Sequence, residues 1–194
     1  MLGKLEVGRV VERYGVESLL GEGGMASVYL VRHRHLGTLH ALKLLGSLGP
    51  GAEVRFMLEG RVQAGLRHRN IVAVNDVLDV DGIPALLMEY VEPPNLATFL
   101  SEGPPDIAEA ERLFRGIVAG VRHAHRHGLV HRDLKPSNVL LAREDGTLLP
   151  KVADFGLAKL LGEDAAAGQT RSGHAMGTPQ YMAPEQFRDA KNVD

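Results

Sequence analysis

From Tyr14 to Val91 the apolar residues mostly alternate with polar ones; beyond residue 106 they recur at helical spacing. Tyr14, Val16, Ser18 and Leu20 alternate toward a cluster of glycines, which predicts a half-buried strand running into a turn. Residues 28–31 and 39–45 predict two more strands, separated by a polar turn around Gly37. Residues 53–66 predict the one helix of this half, with Val54, Met57, Leu58 and Val62 on one side. Gly60 and Gly65 each cost that helix about 1 kcal/mol relative to alanine, so it is expected to be mobile or held by tertiary contacts. Ile71 to Val80 and Ile83 to Val91 predict a hairpin around Asp81-Gly82, a strong two-residue turn signal.

Pro93-Pro94 then interrupts regular structure and places a boundary between residues 1–91 and 92–194. Past it, Asp106 is the expected N-cap of a long helix in which Ile107, Ala110, Phe114, Ile117, Val121 and Ala124 keep the period, and Gly128 ends it. Short strands are expected at 129–130, 139–141, 148–149 and 152–153. Strands first and helix later predict an α+β fold in two lobes.

Composition narrows the function classes without choosing one. The 194 residues are 44% hydrophobic and 24% charged, which is the make-up of a globular chain with a real core. A net charge of −2 gives no general affinity for nucleic acid or anionic membrane. Cysteine is absent, which excludes disulfides, thiolate metal sites and cysteine nucleophiles and is compatible with a reducing cytoplasm. No apolar run reaches the roughly 20 residues that span a bilayer, and the N-terminus mixes charge and glycine too freely for a secretory signal. The expectation is a soluble, cytoplasmic chain with no membrane segment and no nucleic-acid partner.

Three stretches carry chemistry. Gly21-Glu22-Gly23-Gly24-Met25-Ala26 lies between two predicted strands, where glycines let backbone approach phosphate oxygens. By itself it reads more readily as a plain hairpin turn, and a dinucleotide fold is excluded because a strand follows it instead of a helix. Lys43 sits inside an apolar strand, either snorkelling to an edge or meeting phosphate charge, with Glu59 on the next helix as its candidate ion-pair partner. The third stretch is His131-Arg132-Asp133-Leu134-Lys135-Pro136-Ser137-Asn138, followed by Asp154-Phe155-Gly156 and by Ala183-Pro184-Glu185. Spaced carboxylate and amide oxygens suit phosphoryl transfer, where Mg²⁺ takes hard oxygen ligands and positioning matters more than covalent help.

On these motifs the chain resembles the protein kinase family over nearly all of residues 10–190. Lys135 and the Thr178-Pro179 pair resemble the Ser/Thr-specific branch, and Gly23-Gly24-Met25-Ala26 is similar to its bacterial members. The resemblance implies ATP and Mg²⁺ as cofactors and Ser/Thr-bearing proteins as partners. It implies Asp133 as the residue that orients and deprotonates the substrate hydroxyl, and Lys135 as a neutraliser of charge on the transferring phosphoryl. Asn138 and Asp154 would hold Mg²⁺, and Lys43, braced by Glu59, would grip the α- and β-phosphates. Gly21, Gly23 and Gly24 would cover the phosphates, and Leu20, Val28, Ala41 and Leu140 would enclose the adenine. Backbone groups of Glu89 and Val91 would meet its edge beside the Met88 side chain. Arg132 before Asp133 implies control by phosphorylation, with Thr170 and Ser172 as candidate acceptors.

Departures from the family pattern are Ala26 in place of the third loop glycine, Arg69 in place of a common proline, and Gln63 where a small or apolar side chain is usual. The family pattern also continues past Glu185 with a buried central helix and further helices. The resemblance therefore implies a chain that stops before the fold is complete and leaves apolar surface uncovered on the long helix. Two functions follow: an ATP-dependent protein Ser/Thr kinase capable of autophosphorylation, or a catalytically inactive nucleotide-binding or scaffold fragment. His123, His125, His127 and His131 are read as surface positions plus one structural histidine, because spacing of two on a helix sends side chains to different faces. Asp76, Asp79 and Asp81 are read as a solvated edge, and Arg32 to His35 as a solvated turn.

Overall fold

The computed structural model describes residues 4–23, 26–45, 52–155 and 179–182, with side chains in the first helix described only in part. The chain divides into two compact units, Met1–Gly65 with Ala73–Tyr90, and Leu66–Val72 with Val91–Asp194. Residues 66–72 belong with the second unit although they fall well inside the first 91 residues.

The first unit is an antiparallel sheet in the order β1-β2-β3-β4-β6-β5, formed by β1 (Val10–Val11), β2 (Tyr14–Glu22), β3 (Ala26–His33), β4 (Leu39–Leu45), β5 (Val74–Val80) and β6 (Ile83–Glu89). Alternation along each strand sends Tyr14, Val16, Tyr29, Val31, Leu42, Leu44, Leu78, Val80, Ala85 and Leu87 into one core. The hairpin turn is as expected: Asp81 and Gly82 take φ of 54° and 83°, the left-handed pair that a two-residue turn of this hand requires. The strand before it starts later than its apolar run. Ile71 instead forms an isolated parallel bridge with Val152 in the second unit.

The helix of this unit, α1 (Ala52–Gly65), falls where its pattern predicts, but its buried side is different. Phe56 and Gln63 are buried and Val62 is exposed, so Val62 is not on the packing face. A Cβ at Gly60 would lie 2.7 Å from Cδ2 of Leu86, so this glycine lets α1 sit close on β6. Propensity counts Gly60 as a cost, whereas any side chain there would have to displace the end of Leu86.

In the second unit, α2 (Leu96–Ser101) was not foreseen, although Asn95 caps it by accepting from the Thr98 amide at 2.9 Å. The long helix α3 (Ile107–Arg126) starts as predicted, with Asp106 accepting from the Glu109 amide at 2.8 Å, and Gly128 follows it at φ 76°. Its face again differs from the pattern: Ile107 and Phe114 are exposed, while Leu113, Gly120 and Ala124 are buried. Phe114, Ile117, Val118, Val121 and Leu134 line an open apolar groove. The hairpin β7 (Val139–Glu144) and β8 (Thr147–Val152) turns at Asp145-Gly146, with φ of 48° and 77°. One strand therefore replaces the two expected at 148–149 and 152–153, and residues 129–130 form no strand. Among the described residues no helix is long and apolar enough to cross a membrane.

His123 on α3 and His127 at its C-cap, four residues apart, stack on one side, and a third ring joins them. His68 lies 5.0 Å from His123, which lies 4.5 Å from His127, centroid to centroid. Burial, then the nearby His123, Arg122 and Arg69 charges, hold His68 below its ordinary value of 6.5. A histidine that folding keeps deprotonated adds stability above its unfolded value and loses it as the pH falls through the folded one. Thermal melts are therefore expected to drop as the pH is lowered from about 7 to about 5, and to drop less in His68→Gln. An unchanged slope in that variant would remove His68 from the account.

Candidate active site

Each unit assembles its own share of the predicted residues. In the first unit, β4 alternates Ala41 and Lys43 onto the face opposite Leu42 and Leu44. Lys43 pairs in register with Val28 on one side and Leu86 on the other, Ala41 with Met88, and Val28 also with Gly21. Gly21, Val28, Ala41, Lys43 and Met88 thus share one side of the sheet, and Lys43 is only 5% exposed there. Gly23 closes the turn by donating its N–H to the Ala26 carbonyl at 2.9 Å. The bulge between Leu19 and Gly21 leaves Leu20 without a register partner, and it is exposed. The Glu89 N–H donates to the Ala73 carbonyl at 2.9 Å. Gly24 and the side chain of Glu59 lie outside the described residues.

The second unit builds a tighter constellation. Residues 131–138 form a loop closed by a short 3-10 turn, Pro136–Asn138. Arg132 and Asp154 both hold positive φ, 64° and 63°, a conformation uncommon outside glycine and frequent where backbone is bent for function. His131 is the loop's internal brace. Its Nε2 donates to the Ala153 carbonyl at 2.8 Å and its Nδ1 accepts from the Asp133 amide at 3.3 Å, which defines the neutral tautomer. Burial lowers its basicity, consistent with that neutral form. Its ring packs 4.8 Å from Phe155.

Around this brace the polar groups converge on Asp133. Lys135 Nζ lies 2.8 Å from Asp133 Oδ2. Asn138 Nδ2 donates to the Asp133 carbonyl at 2.8 Å and more loosely, at 3.3 Å, to Oδ2. The Asn138 carbonyl in turn accepts from the Ala153 amide at 2.9 Å, tying the residue before Asp154 to the loop. With its nitrogen so used, Asn138 has Oδ1 as the donor atom for a cation, and Asp154 adds carboxylate oxygens. That is a hard-oxygen pair suited to Mg²⁺ and unsuited to soft metals. Among the described residues there is no group of three or more His, Asp or Glu that could hold a metal ion. Leu140 follows on β7, where it bridges to Asn95, and Val91 opens the longer of this unit's two stretches. Thr170, Ser172, Gly156 and Ala183-Pro184-Glu185 lie outside the described residues.

The sequence reading missed Asn70, Gly116 and Gly120. Asn70 is buried, and α3 approaches it at the two glycines. The spacing of four between Gly116 and Gly120 is a signal of close helix contact that was there to be read.

The described fold has known counterparts. A probable serine/threonine-protein kinase of Streptomyces coelicolor is 38% identical over 188 residues, covering 93% of this chain and 27% of that protein. PknL of Mycobacterium tuberculosis is 39% identical over 194 residues, covering 98% of this chain and 47% of that one. The chain therefore spans less than half the length of these curated relatives. The kinase domain of Mycobacterium tuberculosis PknI superposes with a TM-score of 0.68 at 31% identity, over 80% of this chain and 63% of that one. Rad53 in complex with AMP-PNP does so with a TM-score of 0.73 at 26% identity, over 92% and 43%. The family described as protein kinase domain matches residues 14–193, so the chain belongs to the protein kinase family, in its bacterial-type Ser/Thr branch.

Proposed function

We propose that the protein transfers the γ-phosphoryl of ATP to serine or threonine hydroxyls of proteins, itself included, in the cytoplasm. The observation that carries this reading is the Asp133–Lys135–Asn138 network. Asp133 Oδ2 is held by Lys135 and Asn138, which leaves Oδ1 to take the proton of an incoming hydroxyl. Lys135 is then placed to balance negative charge beside the same carboxylate. Asn138 Oδ1 and the Asp154 carboxylate would hold Mg²⁺, which when bound neutralises charge on the phosphate oxygens. Lys43 would hold the α- and β-phosphates with Glu59 as its brace, under the glycine-rich turn of Gly21, Gly23 and Gly24. Leu20, Val28, Ala41 and Leu140 would enclose the adenine, and the Glu89 carbonyl and Val91 amide would meet its edge. The AMP-PNP bound to Rad53 supports nucleotide binding by this fold. Arg132 would pair with a phosphate on Thr170 or Ser172 once autophosphorylation has occurred.

Calorimetry with Mg·ATP is expected to show binding that Asp154→Ala weakens by roughly 10- to 100-fold, the usual loss when a metal site is disturbed. Binding that ignores Asp154, or none at all, rejects the reading. Mass spectrometry after incubation with Mg·ATP is expected to find phosphate on Thr170 or Ser172.

A further inference from the structure

The strand that delivers Asp154 is held along both edges. β7 pairs with one edge, Val139 against Val152. On the other edge, residues 70–72 act as a third strand: Ile71 pairs in parallel with Val152, the Asn70 carbonyl accepts from the Val152 amide at 2.9 Å, and the Val72 amide donates to the Val152 carbonyl at 2.9 Å. Asn70 adds a side-chain tie, Nδ2 donating to the Pro150 carbonyl at 2.8 Å, and its own amide donates to His68 Nδ1 at 3.1 Å.

Asn70 is itself wedged against α3. A Cβ at Gly120 would stand 2.6 Å from the Asn70 carbonyl oxygen, and one at Gly116 would stand 2.9 Å from Asn70 Nδ2 and 2.6 Å from Pro150 Cγ. The helix therefore offers a slot, one turn long, against which Asn70 and the Pro150 ring are pressed. A merely space-filling core residue in the slot would be apolar. Here three polar atoms of Asn70 are bonded, two of them to the backbone of β8. Past Val152, Ala153 is tied by its amide to Asn138 and by its carbonyl to His131, and Asp154 follows at positive φ.

We infer that Asn70 is a positioning residue for Asp154, setting where β8 ends and so where the carboxylate is presented relative to Asn138. This rests on the kinase reading only in taking Asp154 as a metal-holding residue. The donor at Nδ2 is the specific requirement. Asn70→Asp keeps the size but removes the donor and turns a carboxylate toward the Pro150 carbonyl oxygen.

The test uses Mn²⁺ titrated into the chain with AMP-PNP present, together with amide hydrogen exchange over residues 152–155. Leu148→Ala, which opens the core under the far end of the same hairpin, serves as the control that loses stability without touching the Asn70 slot. In Asn70→Asp, and in the milder Asn70→Ser should the first fail to fold, exchange at 152–155 is expected to quicken. The Mn²⁺ midpoint is expected to rise roughly tenfold, as for a partner that orients a metal ligand. Leu148→Ala is expected to melt lower with its midpoint unmoved. Asn70 variants that melt lower but keep the wild-type midpoint would overturn the inference, whatever their exchange. If the wild-type chain shows no Mn²⁺ binding sensitive to Asp154→Ala, the kinase reading fails. The exchange data then decide alone: faster exchange at 152–155 than in Leu148→Ala supports the positioning role, and equal exchange overturns it.

Discussion

Asp133→Asn is expected to lower phosphoryl transfer by about 10²- to 10⁴-fold, the usual contribution of a positioned general base. The substitution is nearly isosteric, so the amide oxygen can still accept from Lys135 and Asn138, and the loop should keep its shape. What it removes is the ability to take up the hydroxyl proton as the bond to phosphorus forms. Nucleotide binding should survive, because the residues proposed to hold ATP and Mg²⁺ are Lys43, Asn138 and Asp154. Peptide phosphorylation and Mg·ATP calorimetry on the same preparation separate the two. Equal loss of both would make Asp133 a structural residue of the loop, in line with its contacts to Lys135 and Asn138 and against a catalytic role.

Gly120→Ala should be among the most destabilising alanine substitutions in the chain, against the direction that helix propensity dictates. Alanine in the middle of a helix is favoured over glycine by about 1 kcal/mol. At Gly120, however, the new methyl would lie 2.6 Å from the Asn70 carbonyl oxygen and 3.3 Å from its carbonyl carbon, and these are backbone atoms tied to β8. They cannot step aside without breaking the strand pairing that they form. Overpacking of this kind costs about 1–3 kcal/mol or more and should outweigh the propensity gain. With a transition shift of about 2–4 °C per kcal/mol for a chain of this size, a fall of several degrees is expected. Gly65→Ala is the matched contrast. Nothing lies within 4 Å of a Cβ there, so that variant should melt unchanged or slightly higher. A Gly120→Ala protein as stable as the parent would show that α3 and the Asn70 strap can separate at little cost.

The residues by themselves determined the order of elements and the chemistry. Alternation at Tyr14–Leu20 and 39–45, the Asp81-Gly82 turn and the Asp106 cap are local signals, each satisfied within a few residues of backbone, and each reappears in the fold. The linear string from His131 to Asn138 was enough to group Asp133, Lys135 and Asn138, because a loop that short keeps its members within hydrogen-bond reach of one another. Which face of each helix is buried was not legible in that way. The period of α3 groups Ile107 and Phe114 with the buried Ala124, yet both are exposed, and the uncovered apolar surface expected on the long helix is the open groove along Phe114, Ile117, Val118 and Val121. Val62 on α1 is exposed as well, while Gly60 on α1 and Gly116 and Gly120 on α3 are points of close approach and Gly65 is not. The placement of residues 66–72 beside β8, and with it the role of Asn70, joins segments some 80 positions apart. No local pattern specifies a contact of that range. It exists because two glycines one helical turn apart admit a polar side chain to the edge of a strand, and only the packed tertiary structure brings those three elements together.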